Sequence, residues 1–417
     1  MTGQERVYQW TAEVRAHLPH LSKPQATVLA AWSLGMVVAR SCALTAVSFL
    51  LGGWLGREPN SVRQRLREWL YDAADKRGAR RRALAVRGCF RPLLPWVLHG
   101  YDGPQLAVAL DATTLGDRFV VLAVSVVYRG CAIPVAWTVL RAGAPHAWRR
   151  EWLALLRLLW RAVPRDWTVV VLADRGLYAR WLYRRIVRLG WHPFLRVNLG
   201  GTFRPDGRDA ARPLRHFAPT PGSAWAGVGT AFKGRPRQLR CTLLARWEEG
   251  YADPWLILTD LPPAAADAAW YGMRAWIEQG FKLTKRAGWQ WQRTRITDPA
   301  RAERLWLAVA VATLWLVRVG APPRRRSPRV PSPTSRPPWP RGAASGARPG
   351  RGSSASSAAA GCWCSSPCSP TRRSPAAPSS PNRGRPPRRS PPTSPHRRPD
   401  HNIPTPQRGT GAGPPRS

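Results

Sequence analysis

Apolar residues recur at helical spacing through the first hundred residues of the chain. Residues 25–39 form an almost continuous apolar run, and residues 60–76 begin with Asn60, a residue that often caps the start of a helix. The second segment has one apolar face, which is predicted to be buried and carries Val62, Leu66, Trp69, Leu70 and Ala73. We therefore predict a helical region over residues 1–100.

The opposite face of the helix predicted over residues 60–76 is basic. It carries Arg63, Arg65 and Arg67. A helix of this kind can enter a groove of DNA and bind phosphates there. A solvated arginine-rich surface without a ligand fits the same pattern. Arg63 and Arg67 are therefore candidate DNA-binding residues, with the surface role as the alternative.

From residue 105 onward the pattern changes to that of β-strands. Three β-branched runs, bounded by Gly, Asp and Pro, occupy residues 105–112, 118–130 and 132–140. Next come a helix over residues 146–162, an apolar strand that ends at Asp174, a helix over residues 178–189 and a strand over residues 192–198. A strand without polar alternation is typical of a sheet covered on both faces. The succession predicts a mixed α/β sheet.

Two further segments complete the predicted α/β domain. Residues 200–260 are rich in strand signals and punctuated by Gly and Pro, while helices are predicted over residues 264–285 and 299–318. We assign residues 101–199 and 261–320 to the α/β core and residues 200–260 to a β-rich segment within it.

The composition changes abruptly after residue 320. Residues 321–417 contain no Leu, Phe, Tyr, Lys or Met and a single acidic residue, Asp400. Such a segment cannot bury a core, and we expect it to be disordered. An out-of-frame reading of GC-rich DNA explains the sudden change, and a natural arginine-rich tail that binds nucleic acid is the alternative.

The charge of the chain indicates a polyanionic partner. Its 417 residues carry a formal charge of +42, and arginine supplies nearly all of the excess. Arginine binds phosphate in a bidentate manner, so nucleic acid is the simplest partner, although a GC-rich genome also favours arginine over lysine codons. The first residues are polar and charged, unlike a signal peptide. We expect a cytoplasmic, nucleoid-associated protein that does not bind membranes.

Three carboxylates stand where an active site of an α/β protein would require them. Asp111 and Asp174 each end an apolar strand, where ligands of such sheets bind, and Glu278 lies in the helix predicted over residues 264–285. A single aspartate at a strand end is more often a turn residue, as Asp117 is predicted to be. Three converging carboxylates can hold two Mg²⁺ ions, because Mg²⁺ prefers hard oxygen ligands.

The helix that carries Glu278 also offers basic groups. At about 100° per residue, one face combines Glu278 with Tyr271, Arg274, Lys282 and Lys285, whereas Trp270, Met273 and Ile277 point elsewhere, as a buried side would. A carboxylate surrounded by phosphate-binding groups suits phosphodiester chemistry.

These motifs resemble a large group of bacterial insertion-sequence transposases. The spacing Y-(2)-R-(3)-E-(6)-K at Tyr271, Arg274, Glu278 and Lys285 matches the signature of that group. The similarity extends to LDATT at Asp111, to YRG at residues 128–130 and to ADRG at Asp174, and it covers about residues 100–318.

The resemblance implies a fold, an activity and partners. It implies a ribonuclease H-like core with a β-rich insertion at residues 200–260, and a DDE transposase with Asp111, Asp174 and Glu278 as catalytic metal ligands. Two Mg²⁺ ions, which Mn²⁺ could replace, would support cleavage and strand transfer by a cut-and-paste route. Transposon-end DNA and target DNA would be the partners of a homodimer, with Tyr271, Arg274, Lys282 and Lys285 on the DNA.

One further residue takes a role from the same resemblance. Trp255 is similar in position to a tryptophan that stacks on a base flipped out of the transposon end in hairpin-forming members. The alternative is a core role, because the chain contains 23 tryptophans. Two rival functions stay open: a transposase remnant that only binds DNA, and a ribonuclease H-like nuclease without inverted-repeat specificity.

Overall fold

The computed structural model describes residues 2–76, 82–101, 103–143 and 148–320. The predicted disordered tail over residues 321–417, with its frameshift interpretation, lies outside these described residues. Within them, the first hundred residues are helical, as predicted. The helices are α1 (Gly3–His17), α2 (Lys23–Ala39), α3 (Leu44–Leu55), α4 (Pro59–Trp69) and α5 (Val86–Leu98).

Local sequence accounts for where these helices begin. Ser22 forms a capping box with Gln25 at the start of α2: its hydroxyl accepts the Gln25 amide, while the Gln25 side chain accepts the Ser22 amide. Helix α4 corrects the sequence prediction, since it begins at Pro59 and Glu58 precedes it, so Asn60 is not the cap. Proline suits this position because the first helical amides have no partner within the helix.

A single mixed sheet follows the N-terminal helices. Its strands are β1 (Gln105–Leu115), β2 (Phe119–Tyr128), β3 (Cys131–Arg141), β4 (Thr168–Ala173), β5 (His192–Arg196), β6 (Thr202–Pro205), β7 (Arg212–Pro213), β8 (Ala224–Ala231), β9 (Leu239–Arg246) and β10 (Trp255–Thr259). The order across the sheet is β3-β2-β1-β4-β5-β10-β9-β8-β6-β7. Strands β1, β2 and β3 are antiparallel neighbours, and β4 and β5 run parallel to β1. The predicted mixed α/β fold is thus confirmed, and its ribonuclease H-like character stays what the family resemblance implies.

The register between β1 and β4 determines where the first two carboxylates lie. These strands are parallel, and Leu110 is paired with Ala173. Asp174 follows the last residue of β4, whereas Asp111 lies inside β1, which continues to Leu115 beside β2, so the prediction that Asp111 ends its strand is wrong. The parallel register still places the two carboxylates side by side at the carboxyl end of β4, and we call this position the site edge.

Helices cover both faces of the core sheet. On one face, α5, α6 (Trp148–Trp160), α7 (Arg180–Arg188) and α9 (Pro299–Gly320) share one hydrophobic core with the β1 residues Leu106, Val108 and Leu110. On the other face, the segment from Ala268 to Ile277 packs on Ala107 and Ala109. Alternate residues of a strand point to the same face, so Asp111 lies on the same face as Ala107 and Ala109. This is the face that α8 (Ala275–Lys282) covers.

The β-rich segment continues the core sheet. Strand β10 pairs with β5 on one side and with β9 on the other, both antiparallel. Strands β8, β6 and β7 extend the sheet beyond β9. The segment predicted as an insertion therefore shares hydrogen bonds with the core. The exact boundaries assigned to the domains stay a prediction.

Arg304 joins α9 to the end of the N-terminal helices. It is 5% exposed and donates to the carbonyl oxygens of Leu70 and Leu84 and to the Asp72 carboxylate. An arginine this deeply buried is tolerated because its donors are satisfied.

In the described part of the chain, no single helix is long and apolar enough to cross a membrane. Taken together, α2 and α3 pass that test by length and composition, with a bend of 103° between them.

Candidate active site

The segment from Ala268 to Ala287 brings the third carboxylate to the site edge, but its helix is not uniform. Residues Ala268–Arg274 form a 3₁₀-helix, α8 spans Ala275–Lys282, and Leu283–Ala287 form a π-helical turn. The sequence prediction of one α-helical face is therefore wrong in detail, because the rotation per residue changes twice along the segment. The predicted buried side is confirmed, since Trp270, Met273 and Ile277 are all buried.

Arg274 lies at the centre of the three carboxylates. Its Nη2 atom is 2.8 Å from Oδ2 of Asp111 and 3.8 Å from Oδ2 of Asp174, and its Nη1 atom contacts Oε1 of Glu278. Asp111 and Asp174 come from adjacent strands, while Glu278 is one helical turn beyond Arg274. The structure thus brings together the three acids that the sequence singled out, around one guanidinium group.

Tyr271 connects the 3₁₀-helix to Asp174. Its hydroxyl donates to Oδ1 of Asp174 over 3.3 Å, while its ring is buried. Burial and the neighbouring Asp174 raise the pKa of the phenol, so the hydroxyl keeps its proton. Tyr271 therefore acts as a hydrogen-bond donor that orients a carboxylate, instead of lying on an open basic stripe.

The electrostatics of the cluster follow from burial and from like charges. Burial raises the pKa of Asp111, and the Asp174 and Glu278 carboxylates raise it further, while Arg274 and the Ala112 amide act in the opposite direction. Burial lowers the pKa of Arg274, but the acidic neighbours outweigh it and the net pKa is raised. Three carboxylates and one guanidinium leave an excess of negative charge at the site edge.

The donor set suits a divalent metal ion, although the side chains are not arranged to hold one. Three hard oxygen donors that converge on one cationic group are the ligand type that Mg²⁺ prefers. Among the described residues, however, no group of three or more His, Cys, Asp or Glu side chains could hold a metal ion as it stands. The Arg274 guanidinium supplies the positive charge between the carboxylates. Metal binding would therefore require Arg274 to move away from the carboxylates that take up the ion.

Two lysines extend the basic side of this segment. Lys282 ends α8 and is exposed, and Lys285 lies half-buried in the π-helical turn. Burial, together with the adjacent Arg286, lowers the pKa of Lys285. Among the described residues, neither lysine forms an ion pair with a carboxylate, so both amines are available to an external anion such as a DNA phosphate.

Trp255 lies between Tyr251 and Tyr271 in an aromatic row. Its ring centroid is 5.6 Å from that of Tyr271 and 5.2 Å from that of Tyr251. Trp255 is 9% exposed, whereas Tyr251 is 54% exposed. A base could stack on Trp255 only after its neighbours moved, so the stacking role stays a prediction. The sequence analysis missed Tyr251, which an exposed aromatic residue in the polar stretch EEGYADP could have indicated.

The YRG motif and the arginines of α4 lie away from the carboxylate cluster. The YRG motif forms the tight turn between β2 and β3: Arg129 and Gly130 have φ values of 49° and 81°, as two-residue hairpins require. This turn is at the opposite edge from Asp111. Arg63 and Arg67 are exposed on α4, where Arg67 lies over the Tyr71 ring, and neither residue touches the carboxylate cluster.

Comparison with known families is consistent with this geometry. Residues 133–315 match the family model described as the transposase DDE domain. The matched range contains Asp174 and Glu278 but begins after Asp111. No curated protein matches the chain.

Two solved structures show weak likeness to the chain. A piggyBac transposase synaptic complex with hairpin DNA is 11% identical, with 77% of this chain and 80% of that chain covered and a TM-score of 0.34. Human ENDOV is 14% identical, with 53% of this chain and 87% of that chain covered and a TM-score of 0.22. At these TM-scores neither likeness decides the fold or the function. The family match is the more specific finding: residues 133–315 are similar to the transposase DDE domain.

Proposed function

We propose that this protein is an insertion-sequence transposase that cuts DNA at the ends of its element and joins the freed ends to target DNA. The observation that carries the proposal is the convergence of Asp111, Asp174 and Glu278 at one edge of the sheet, around Arg274. The transposase DDE domain over residues 133–315 supports the same activity.

In this proposal Asp111, Asp174 and Glu278 hold two divalent cations, for which Mg²⁺ is the natural choice. When bound, such ions lower the pKa of attacking water and stabilise the leaving oxygen. Tyr271 keeps Asp174 oriented through its hydroxyl. Arg274 neutralises the acids before metal and DNA arrive, and its planar guanidinium then suits a phosphate near the cut.

In this proposal, basic residues position the DNA. Lys282 and Lys285 would bind phosphates adjacent to the cut, and Arg63 and Arg67 on α4 would bind the duplex further away. The excess of positive charge favours such contacts without sequence preference. Because two element ends must be joined, we propose that a homodimer on paired ends performs the reaction. The protein would act in the bacterial cytoplasm.

A cleavage assay tests the proposal. The substrate is a linear DNA fragment that carries the gene together with its own flanking sequence, incubated with the full chain and Mg²⁺. We expect nicks at two inverted-repeat boundaries, 3′-hydroxyl ends, and joined products when a plasmid is added. Cuts scattered without regard to those boundaries would instead identify a nuclease. Binding to the boundaries without any cut would identify an inactive remnant.

A further inference from the structure

An arginine-lined groove lies between α6 and α7, on the face of the sheet opposite to Asp111. It has a volume of about 440 Å³, and beside Leu153 and Trp181 its lining consists of arginines: Arg149, Arg157, Arg180, Arg184, Arg185 and Arg188. The apolar sides of the two helices pack into the core through Leu155, Leu159, Leu182 and Ile186. The groove is therefore a rigid surface on regular elements.

The direction of the strands relates this groove to the site edge. Strand β3 runs parallel to β1, since both are antiparallel to β2, and β4 is also parallel to β1. Helix α6 follows β3 and α7 follows β4, so both helices start near the edge that carries the carboxylates and run away from it side by side. Arg149 and Arg180 lie near that edge, and Arg157 and Arg188 lie farthest from it.

The charge of the groove is not compensated within the protein. In the part of the chain that the structure describes, none of the six arginines forms an ion pair with a carboxylate. Glu151, the acidic residue of α6, is engaged by Arg87 over 2.8 Å. Six like charges around one groove repel one another, and an external anion relieves that repulsion.

The end of the groove nearest the site edge is held in place by two contacts. The Arg149 guanidinium lies over the Trp181 ring, 5.6 Å from its centroid. Arg180 donates to the carbonyl oxygen of Pro236, in the loop between β8 and β9. Arg157, Arg184 and Arg188 are exposed at positions further along the helices. The charged surface is thus fixed at one end and open along its length.

The dimensions of the groove fit a DNA strand. Eight residues separate Arg149 from Arg157 and Arg180 from Arg188, which corresponds to about 12 Å along each helix axis. Each strand of duplex DNA carries a charge per about 3.4 Å of axis, so the groove spans about three to four phosphates. Arginine forks bind phosphate oxygens well and require no particular base.

We propose that this groove binds the phosphate backbone of duplex DNA as a second contact, remote from the nucleotides that react at Asp111, Asp174 and Glu278. The proposal rests on the proposed transposase function for its biological meaning. The DNA could be the flank of the element end or the target, because both present the same phosphates.

Site-specific protection tests the contact itself. The full chain is treated with the arginine reagent phenylglyoxal, with or without a 30-base-pair duplex of arbitrary sequence, and modification is mapped by mass spectrometry. We expect the duplex to slow modification of Arg157, Arg184 and Arg188 several-fold. Arg204, Arg208 and Arg215, which are exposed at β6 and near β7, serve as internal controls. Equal rates at Arg157, Arg184 and Arg188 with and without duplex would overturn the proposal.

Substitution provides an independent measurement. The triple variant Arg157→Gln, Arg184→Gln and Arg188→Gln is compared with the charge-matched triple Arg204→Gln, Arg208→Gln and Arg215→Gln. For the groove variant, we expect the slope of log Kd against log salt to fall by about 2 to 3, because each lost phosphate contact removes about 0.9. The same change in both variants, or in neither, would contradict a specific groove contact.

Two reaction arms identify the source of the DNA. One uses an uncut element end with a long flank, and the other uses a pre-cut end with a plasmid target. Loss of cleavage in the groove variant assigns the groove to the flank, and loss of joining alone assigns it to the target. If the wild-type protein neither cuts the first substrate nor joins the second, the proposed function fails. The protection and salt-slope measurements then still decide whether the groove binds DNA.

Discussion

Arg274 and Asp111 form the ion pair at the centre of the acidic cluster, with 2.8 Å between Nη2 and Oδ2. The same guanidinium reaches Asp174 and Glu278, so one side chain neutralises acids from two strands and a helix. The Arg274 side chain is 12% exposed, so it is a largely buried counter-charge. A cation that binds the carboxylates must therefore compete with it.

Arg274→Gln tests this competition. Without metal, we expect the free energy of unfolding to fall by about 2–3 kcal/mol, because removing one partner of a buried ion pair leaves like charges unpaired. Mg²⁺ should recover more of the lost stability in the variant than it adds to the wild type. Thermal unfolding with and without Mg²⁺ measures both effects. Arg175→Gln, which removes an exposed pair with Asp253, is the control and should show no metal-dependent recovery.

Tyr271→Phe removes the hydroxyl that donates to Asp174 and leaves the buried ring in place. We expect a loss of about 1 kcal/mol in stability and about a tenfold loss in cleavage rate, because Asp174 loses its orienting bond. Tyr183→Phe is a matched control, since the buried Tyr183 hydroxyl has no hydrogen-bond partner among the described residues. If both variants cleaved at the wild-type rate, Tyr271 would have no role in positioning Asp174.

Lys285→Ala is expected to weaken binding to the element ends and to flatten its salt dependence. Loss of one phosphate contact should reduce the slope of log Kd against log salt by about 1. Fluorescence anisotropy over a range of NaCl concentrations gives that slope. Lys233→Ala, at an exposed lysine between β8 and β9, should leave it unchanged. An unchanged slope for Lys285→Ala would place this lysine away from the DNA.

Glu303 predicts a pH dependence of stability that is separate from the active site. Burial raises its pKa above the usual value of 4.5, against the opposing effects of the Val139 amide and Arg87. The folded protein thus keeps a proton that the unfolded chain has released, so the free energy of unfolding falls as pH rises from about 4.5 through the raised pKa.

Glu303→Gln should remove this pH-dependent fall in the free energy of unfolding. The stability of the variant relative to the wild type should therefore increase as the pH rises from acid to neutral. Urea unfolding at several pH values between 4 and 7 measures the difference. Glu249→Gln, at an exposed position, controls for the change in net charge. Parallel stability profiles for wild type and Glu303→Gln would show that the burial of Glu303 has no such effect.

The sequence could indicate the two aspartates because strand signals are local properties. Asp174 follows the end of its strand as predicted, and although β1 continues past Asp111 to Leu115, parallel pairing brings the two acids together. The prediction of one regular α-helix over residues 264–285 was wrong. The 3₁₀ and π turns around α8 depend on packing against the sheet and not on periodicity. That packing also turns Tyr271 and Arg274 inward.

Contacts between distant segments were the least predictable. The Tyr271–Asp174 bond joins residues 97 positions apart, and nothing in either local sequence indicates it. The arginine groove requires α6 and α7 to be neighbours, although the pattern RWLYRRIVR already places four arginines near one side of a helix. In the same way, the pairing of β10 with both β5 and β9 merges the β-rich segment into the core sheet.

The measurement that tests the central claim most directly is Mg²⁺-dependent cleavage at the element ends by wild type and by Asp174→Asn. We predict that the wild type cuts and that Asp174→Asn, Asp111→Asn and Glu278→Gln each lose detectable cleavage while still binding the ends. Asp253→Asn, which changes an exposed acid paired with Arg175, should cut as the wild type does. Normal cleavage by Asp174→Asn would contradict the assignment of these three carboxylates as the catalytic centre.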